Sequence, residues 1–182
     1  MDSKVVRLAQ QGDREAFTRL AGTLTAPFLE VARRILRDTD AAEDATQQAL
    51  VTVWQRLPQL RDPDRFEAWS YRLLVRACYA EGRRSRRWAP SISLMPTHDA
   101  AETDGLGILI DRDQLERAFR RLSVDHRAVV VLRHYQHLSL EEVAVALGVP
   151  VGTVGSRLHY ALRELRSAIQ ADARPVERRA TQ

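Results

Sequence analysis

The stretch LSLEEVAVALGVPVGTVGSRLHYALREL, residues 138–165, constrains the fold of this chain more than any other part of it. Ser139 and Glu142 stand in the S-x-x-E spacing of a capping box. Leu140, Val143, Ala144 and Leu147 follow at i, i+3, i+4 and i+7, which puts them on one apolar helix face. Gly148 suits the left-handed position that ends a helix, and Pro150 suits the first turn of the next. In that second helix Val154, Leu158, Ala161, Leu162, Leu165 and Ile169 make the inner stripe. The small Ala144 lets the two backbones cross closely, Gly148 makes a short turn, and Val154 fills the angle. This is helix-turn-helix geometry.

The outer face of the second helix opens with Val151, Gly152, Thr153, Ser156, Arg157 and Tyr160. Glycine costs a helix interior about 1 kcal/mol against alanine, so Gly152 and Gly155 ask for a reason. A backbone that must lie against a DNA groove supplies one, with hydroxyls and a guanidinium as donors to phosphates and base edges. An ordinary helical hairpin with a glycine turn is the alternative. Residues 139–162 set Arg157 against Glu141 and Glu142, so such a helix would bind DNA weakly by itself.

Elsewhere the periodicity is helical almost throughout, with no convincing strand alternation. It predicts helices over 3–11, 13–24, 26–37, 40–57, 64–87, 111–121, 125–135, 139–147 and 150–170. Gly12-Asp13 is a break followed by a cap, Pro27 suits a first turn, and Asp40 and Asp125 are N-cap candidates. The run VVVL at 129–132 reads as helix because the pattern continues to Tyr135. Residues 57–66, with two prolines, form a loop, and 89–107, rich in Pro, Gly, Ser, Thr and acid, form a linker. The expected fold is all-α: two small helical domains, 1–90 and 111–170, joined by a flexible acidic linker over 91–110, with a disordered tail over 171–182.

Charge is blocked by sign along the chain, although the net charge is only +4. Residues 65–87 carry seven arginines against Glu67 and Glu81. At 100° per residue, Arg65, Arg72, Arg76, Arg83 and Arg87 fall within about 60° of one another. Phe66, Trp69, Leu73, Ala77 and Ala80 lie on an adjacent face, and Tyr71 and Tyr79 are near. A solvated face is one explanation; a nucleic-acid backbone, met over four turns by charges of one sign, is the other. Trp69 reads as core. By contrast, residues 38–48 hold four acids and no base. In 40–57 the stripe Ala45, Ala49, Val53, Trp54 and Leu57 reads as buried, while Asp44, Gln47, Gln48 and Val51 point elsewhere. Acid at a helix N-terminus is an ordinary dipole effect, but DNA would repel this surface, so any partner here is a protein.

Other classes lack their residues. Cys78 is the single cysteine, so no intrachain disulfide forms and a reducing cytoplasm suits the chain. No apolar run approaches the roughly 20 residues of a membrane span, and the first residues have no secretory pattern. His134 and His137 could share a face, yet no second pair completes a metal site. No Walker loop, nucleophile elbow or Ser/His/Asp spacing appears, and no cofactor is expected.

The order GDREAFTRL, DAAEDATQQALVTVWQRL, FEAWSYRLLVRACYAEGRRSRR, then LERAFRRLSVDHRAVVVLRHYQHLSLEEVAVALG and VPVGTVGSRLHYALREL resembles the extracytoplasmic-function (ECF) group of bacterial sigma factors. The resemblance covers about 10–88 and 112–169. It implies a cytoplasmic, non-enzymatic alternative sigma factor that binds core RNA polymerase and directs it to promoter DNA. The helix matching 40–57 would bind the polymerase clamp through Asp40, Glu43, Asp44, Gln47, Gln48 and Trp54. Recognition and opening of the minus-ten element would fall to Arg61, Asp62, Arg65, Trp69, Arg72, Arg76, Arg83 and Arg84. The helix-turn-helix over 139–158 would read the minus-thirty-five element with Val151, Gly152, Thr153, Ser156, Arg157 and Tyr160. An anti-sigma factor is a further partner the resemblance admits. Gly155, Tyr160 and Leu162 depart from residues that are commonly basic in the group, and Arg76 and Ala80 replace the usual Asn and Asp. A free-standing helix-turn-helix regulator is the alternative reading, but it gives no reason for the acidic 40–57 pattern. A polymerase-binding regulator without promoter specificity is a third.

Overall fold

The computed structural model describes residues 3–88 and 112–177; the expected linker and the end of the expected tail fall outside them. All regular structure within these limits is helical. The order is α1 (Ser3–Gln10), α2 (Arg14–Leu36), α3 (Thr39–Arg56), short 3-10 turns at Leu57–Gln59 and Pro63–Arg65, and α4 (Phe66–Trp88). Then come α5 (Arg112–Arg121), α6 (Val124–Val130) with a π-helical extension Val131–Tyr135, α7 (Leu140–Leu147) and α8 (Val151–Glu177).

Four boundaries differ from the sequence expectation, one of them the end of α8, which stays helical to Glu177, past the expected 170 and into the expected disordered tail. The segments 13–24 and 26–37 are one helix, α2, which runs straight through Pro27. An interior proline costs about 3 kcal/mol, but Leu20, Leu24, Phe28, Val31, Ala32 and Ile35 form one unbroken buried stripe across it, and that burial outweighs the lost hydrogen bond. Helix α3 is capped by Asp38, not Asp40: its carboxylate accepts from the Ala41 amide at 3.0 Å. Helix α6 is capped by Ser123, not Asp125, with Ser123 Oγ accepting from the His126 amide at 3.1 Å.

The VVVL run is helical as expected, but its end is widened. The Gln136 amide reaches back to the Val131 carbonyl at 3.0 Å, an i to i+5 bond, and His137 closes the turn at φ 55°. Val129, Val131 and Leu132 are thereby all buried.

Helix α4 is the centre of the molecule. It packs on α3 and α2 along one side and on α7 along the other, while α6 rests on α2 and α8. The main cluster of buried side chains runs from Val6 in α1 to Ala161 in α8, so both halves of the chain share one core. A satellite of Ala118, Leu122, Leu165, Ala168 and Ile169 ties α5 to α8.

Candidate partner and nucleic-acid surfaces

Helix α3 turns Ala42, Ala45, Thr46, Ala49 and Val53 inward. Asp40, Glu43, Asp44, Gln47 and Gln48 stand exposed on the opposite side. Trp54, expected in the buried stripe, is 43% exposed, and Val51 beside it is 49% exposed. Leu57, one turn on, takes the buried place. The indole leans on Phe17 of α2, with ring centroids 4.5 Å apart. Acid, amides and two apolar side chains therefore share a ridge that no other described element covers. Phe17 belongs to that ridge and carries no sequence signal beyond its place in an apolar stripe.

The loop before α4 is built from local bonds. Asp62 caps the 3-10 turn by accepting from the Asp64 amide at 3.0 Å, and it pairs with Arg65 at 3.3 Å. Gln10 of α1 donates to the Leu57 and Leu60 carbonyls, pinning the loop from behind. Arg61, Arg65, Arg76, Arg83 and Arg84 are exposed, Arg84 lying 3.4 Å from Glu81. Trp69 is half-buried against Phe66, as the sequence suggests.

Two parts of α4 differ from the helical projection. Ala80 is exposed, and Tyr71, Leu74, Val75 and Cys78 are buried as well as Phe66, Leu73 and Ala77. A helix between two layers buries two faces, and a single-stripe projection finds only one. Arg72, on the basic face, is half-buried: its guanidinium lies 3.7 Å from the place a Cβ on Gly148 would occupy, and its Nε is buried without a hydrogen-bond partner. Burial pushes the Cys78 thiol up to about 12, so it is unreactive.

The helix-turn-helix forms as the sequence predicts. Ser139 Oγ accepts from the Glu142 amide at 3.1 Å and Glu142 Oε2 from the Ser139 amide at 2.8 Å, closing the capping box. Gly148 adopts φ 69°, and Val154 is fully buried in the angle. Val151, Gly152, Ser156 and Tyr160 are exposed, and Thr153 is half-buried. Around Gly152 and Gly155 an added Cβ would meet nothing within 4 Å, so this face is bare backbone open to an incoming surface. Arg157 is half-buried and pairs with Asp125 of α6 at 3.7 Å. Tyr79 of α4 is near the same carboxylate, and burial first, then Asp125, pushes its hydroxyl up.

Among the described residues no group of His, Cys, Asp and Glu could hold a metal ion, and no helix is long and apolar enough to cross a membrane. The chemistry on offer is recognition: one acidic and apolar ridge, one basic helix, one bare helix-turn-helix face. That combination defines a DNA-reading subunit with a protein dock.

The family models Sigma-70 region 2 and Sigma-70, region 4 match residues 25–88 and 112–165. The RNA polymerase sigma-E factor of Streptomyces avermitilis is 34% identical over 174 residues, covering 92% of this chain and 94% of that one. The ECF RNA polymerase sigma factor SigL of Mycobacterium tuberculosis is 34% identical over 143 residues, 76% of this chain and 80% of its own. Among solved structures, CnrH in complex with the cytosolic domain of CnrY has a TM-score of 0.69 at 24% identity, covering 94% of this chain and 98% of its own. The sigma factor RpoE in complex with the anti-sigma factor NepR from Bartonella quintana has a TM-score of 0.64 at 21% identity, covering 86% and 98%. The chain belongs to the ECF group of the sigma-70 family, and it is an alternative sigma factor that directs transcription.

Proposed function

We propose that this sigma factor divides its work among three surfaces and two units, residues 1–90 and 111–170, with 91–110 as the connection and 171–182 as a tail. The α3 ridge of Asp40, Glu43, Asp44, Gln47, Gln48 and Trp54 docks on the clamp of core RNA polymerase. Arg61, Asp62, Arg65, Trp69, Arg72, Arg76, Arg83 and Arg84 engage and open the minus-ten element. Val151, Gly152, Thr153, Ser156, Arg157 and Tyr160 read the minus-thirty-five element as duplex.

The observation that carries this reading is the exposure of Trp54 and Val51 beside five carboxylate and amide side chains. An apolar ridge rimmed by acid repels DNA and suits a basic protein surface. The weakly charged helix-turn-helix supports the same division, since polymerase then supplies most of the affinity and the DNA readers act at high effective concentration. Opening of the duplex costs a few kcal/mol, offset by captured bases and phosphate contacts. By itself the chain is not an enzyme and takes no cofactor; its work is in the cytoplasm, where its polymerase is. An anti-sigma factor is a second protein partner, as NepR is for RpoE in the solved complex.

The test is run-off sequencing with sigma-free core polymerase and fragmented genomic DNA. Discrete new starts sharing two spaced upstream elements are expected. No new starts, with the protein comigrating with core, would leave a polymerase-binding regulator; no comigration would leave a free-standing DNA binder.

A further inference from the structure

Helix α1 lies outside the residues that the family models match, 25–88 and 112–165, and holds none of the residues assigned above to polymerase or DNA. It is seated by Val6 and Ala9, both buried, and it packs on α2 and on both 3-10 turns of the loop before α4. That loop has little core of its own. None of residues 58–65 is buried, and Pro58 and Pro63 have no amide hydrogen to donate.

Two fastenings reach the loop from the two ends of α1. Gln10, half-buried at the C-terminal end, donates from its side-chain nitrogen to the Leu57 carbonyl at 3.2 Å and the Leu60 carbonyl at 2.7 Å. Those carbonyls mark the two ends of the first 3-10 turn. Both only accept, so the NH2 of Gln10 and not its amide oxygen must face them. At the other end of α1, Ser3 Oγ donates to Asp64 Oδ1 in the second turn at 2.6 Å. The two fastening residues are about 10 Å apart along the helix at 1.5 Å per residue. Between the fastened turns stand Arg61 and Asp62, both exposed. Asp62 uses its carboxylate inside the loop, accepting from the Asp64 amide at 3.0 Å and pairing with Arg65 at 3.3 Å.

A loop that must hold an unstacked base loses conformational freedom in doing so, and a loop already fixed loses less. The fastened turns begin at Leu57, past the last ridge residue Trp54, so the polymerase dock is left out of the arrangement.

We infer that Gln10 is a positioning residue for promoter opening: it fixes the turn at 57–60 so that Arg61 and Asp62 meet the minus-ten bases already in shape. The inference rests on the functional reading above and adds to it a residue that touches neither DNA nor polymerase.

The experiment assembles the full chain with core polymerase on a promoter found by run-off sequencing. Wild type, Gln10→Glu and Gln10→Lys are compared for core affinity, thermal melting and permanganate reactivity of the minus-ten thymines. Run-off is also measured on the same promoter with its minus-ten element already unpaired. Gln10→Glu keeps the side-chain shape but sets a carboxylate oxygen against two carbonyls, whereas Gln10→Lys keeps a donor. Permanganate reactivity is expected to fall roughly tenfold in Gln10→Glu, as two neutral hydrogen bonds are lost, and to stay near wild type in Gln10→Lys. Core affinity should hold in both, and the unpaired template should restore the output of Gln10→Glu because opening is no longer required. A merely structural role would lower core affinity and melting together, and its loss would persist on the unpaired template. That result, or unchanged reactivity in a folded Gln10→Glu, overturns the inference. If Gln10→Glu proves unfolded, Ser3→Ala must lower reactivity with core affinity intact, and no effect there overturns the inference as well. A wild type that opens no promoter removes the functional reading, and the inference with it.

Discussion

The indole of Trp54 stands edge-on to the ring of Phe17, centroids 4.5 Å apart and planes at 63°. Helix α2 thereby props up the most exposed aromatic side chain on the acidic ridge. A large aromatic held rigid yet open to solvent has the character of an interface anchor. Trp54→Ala is expected to weaken core-polymerase binding by about 1–3 kcal/mol while changing thermal stability little. Titration calorimetry and a melt separate the two; a collapse in stability with unchanged affinity would return Trp54 to the core.

Charge on the same ridge gives a second expectation. Asp44 is exposed and one turn from Gln47 and Gln48. Asp44→Arg places a cation where a basic clamp would sit, and should cost core affinity about tenfold or more. Helicity should be unchanged, and a pull-down that retains full core binding would exclude α3 as the dock.

What a sequence shows of such a molecule depends on range. The capping box at Ser139, the turn at Gly148 and the stripe from Val154 to Ile169 are local, and each is where its residues predict. Asp38 and Asp40 lie within one turn of each other, and both match an N-cap; which one caps depends on where α2 ends. Pro27 reads as a helix start because the continuous stripe that overrides it becomes decisive only once α1, α3 and α4 pack on it. Trp54 and Leu57 read as one buried stripe, but only Leu57 is buried, and the contact of the exposed indole with Phe17 has no local signature. Arg72 and Arg127 are the least legible. A projection of either helix alone sees an arginine, and the long-range contact that buries it has no local signature.

On the DNA side, Arg157→Ala should reduce output from promoters that need the upstream element, at a cost of about 1–3 kcal/mol. Its pair with Asp125 is long and partly exposed, and such pairs contribute little to stability, so its loss should leave the fold intact. Runoff transcription on promoters with and without the upstream element checks the difference. Equal losses on both would place Arg157 outside element reading.

Acid should loosen the contact between the two halves. Arg37, the C-cap residue of α2, pairs with Glu116 of α5. The hydrogen bond from Arg37 holds the Glu116 carboxyl below its ordinary value, with the charges of Arg37, Arg120 and Arg34 acting in the same direction and burial opposing them. A carboxylate whose folded value is depressed stabilises fully above its unfolded value and loses that contribution as pH falls through the folded one. Energy transfer between dyes placed at Ala26→Cys and Ser167→Cys, exposed positions in the two halves, should therefore be constant near neutrality and fall below the usual glutamate range. Glu116→Gln should flatten that part of the profile. A wild-type profile identical to that of Glu116→Gln would show that this pair does not hold the halves together.

The turn at Gly148 offers the sharpest test of local geometry. Its φ of 69° lies in the left-handed region, and the guanidinium of Arg72 is 3.7 Å from where a Cβ would sit. Ordinary van der Waals distance means that Gly148→Ala meets no clash, so its cost comes from the backbone, about 1 kcal/mol. Gly155→Ala, in open space on an α-helical backbone, should instead stabilise α8 by up to about 1 kcal/mol. Chemical denaturation of the two variants should move the midpoint in opposite directions. If Gly148→Ala were also stabilising, the left-handed turn between α7 and α8 would be wrong, and with it the angle at which α8 meets DNA.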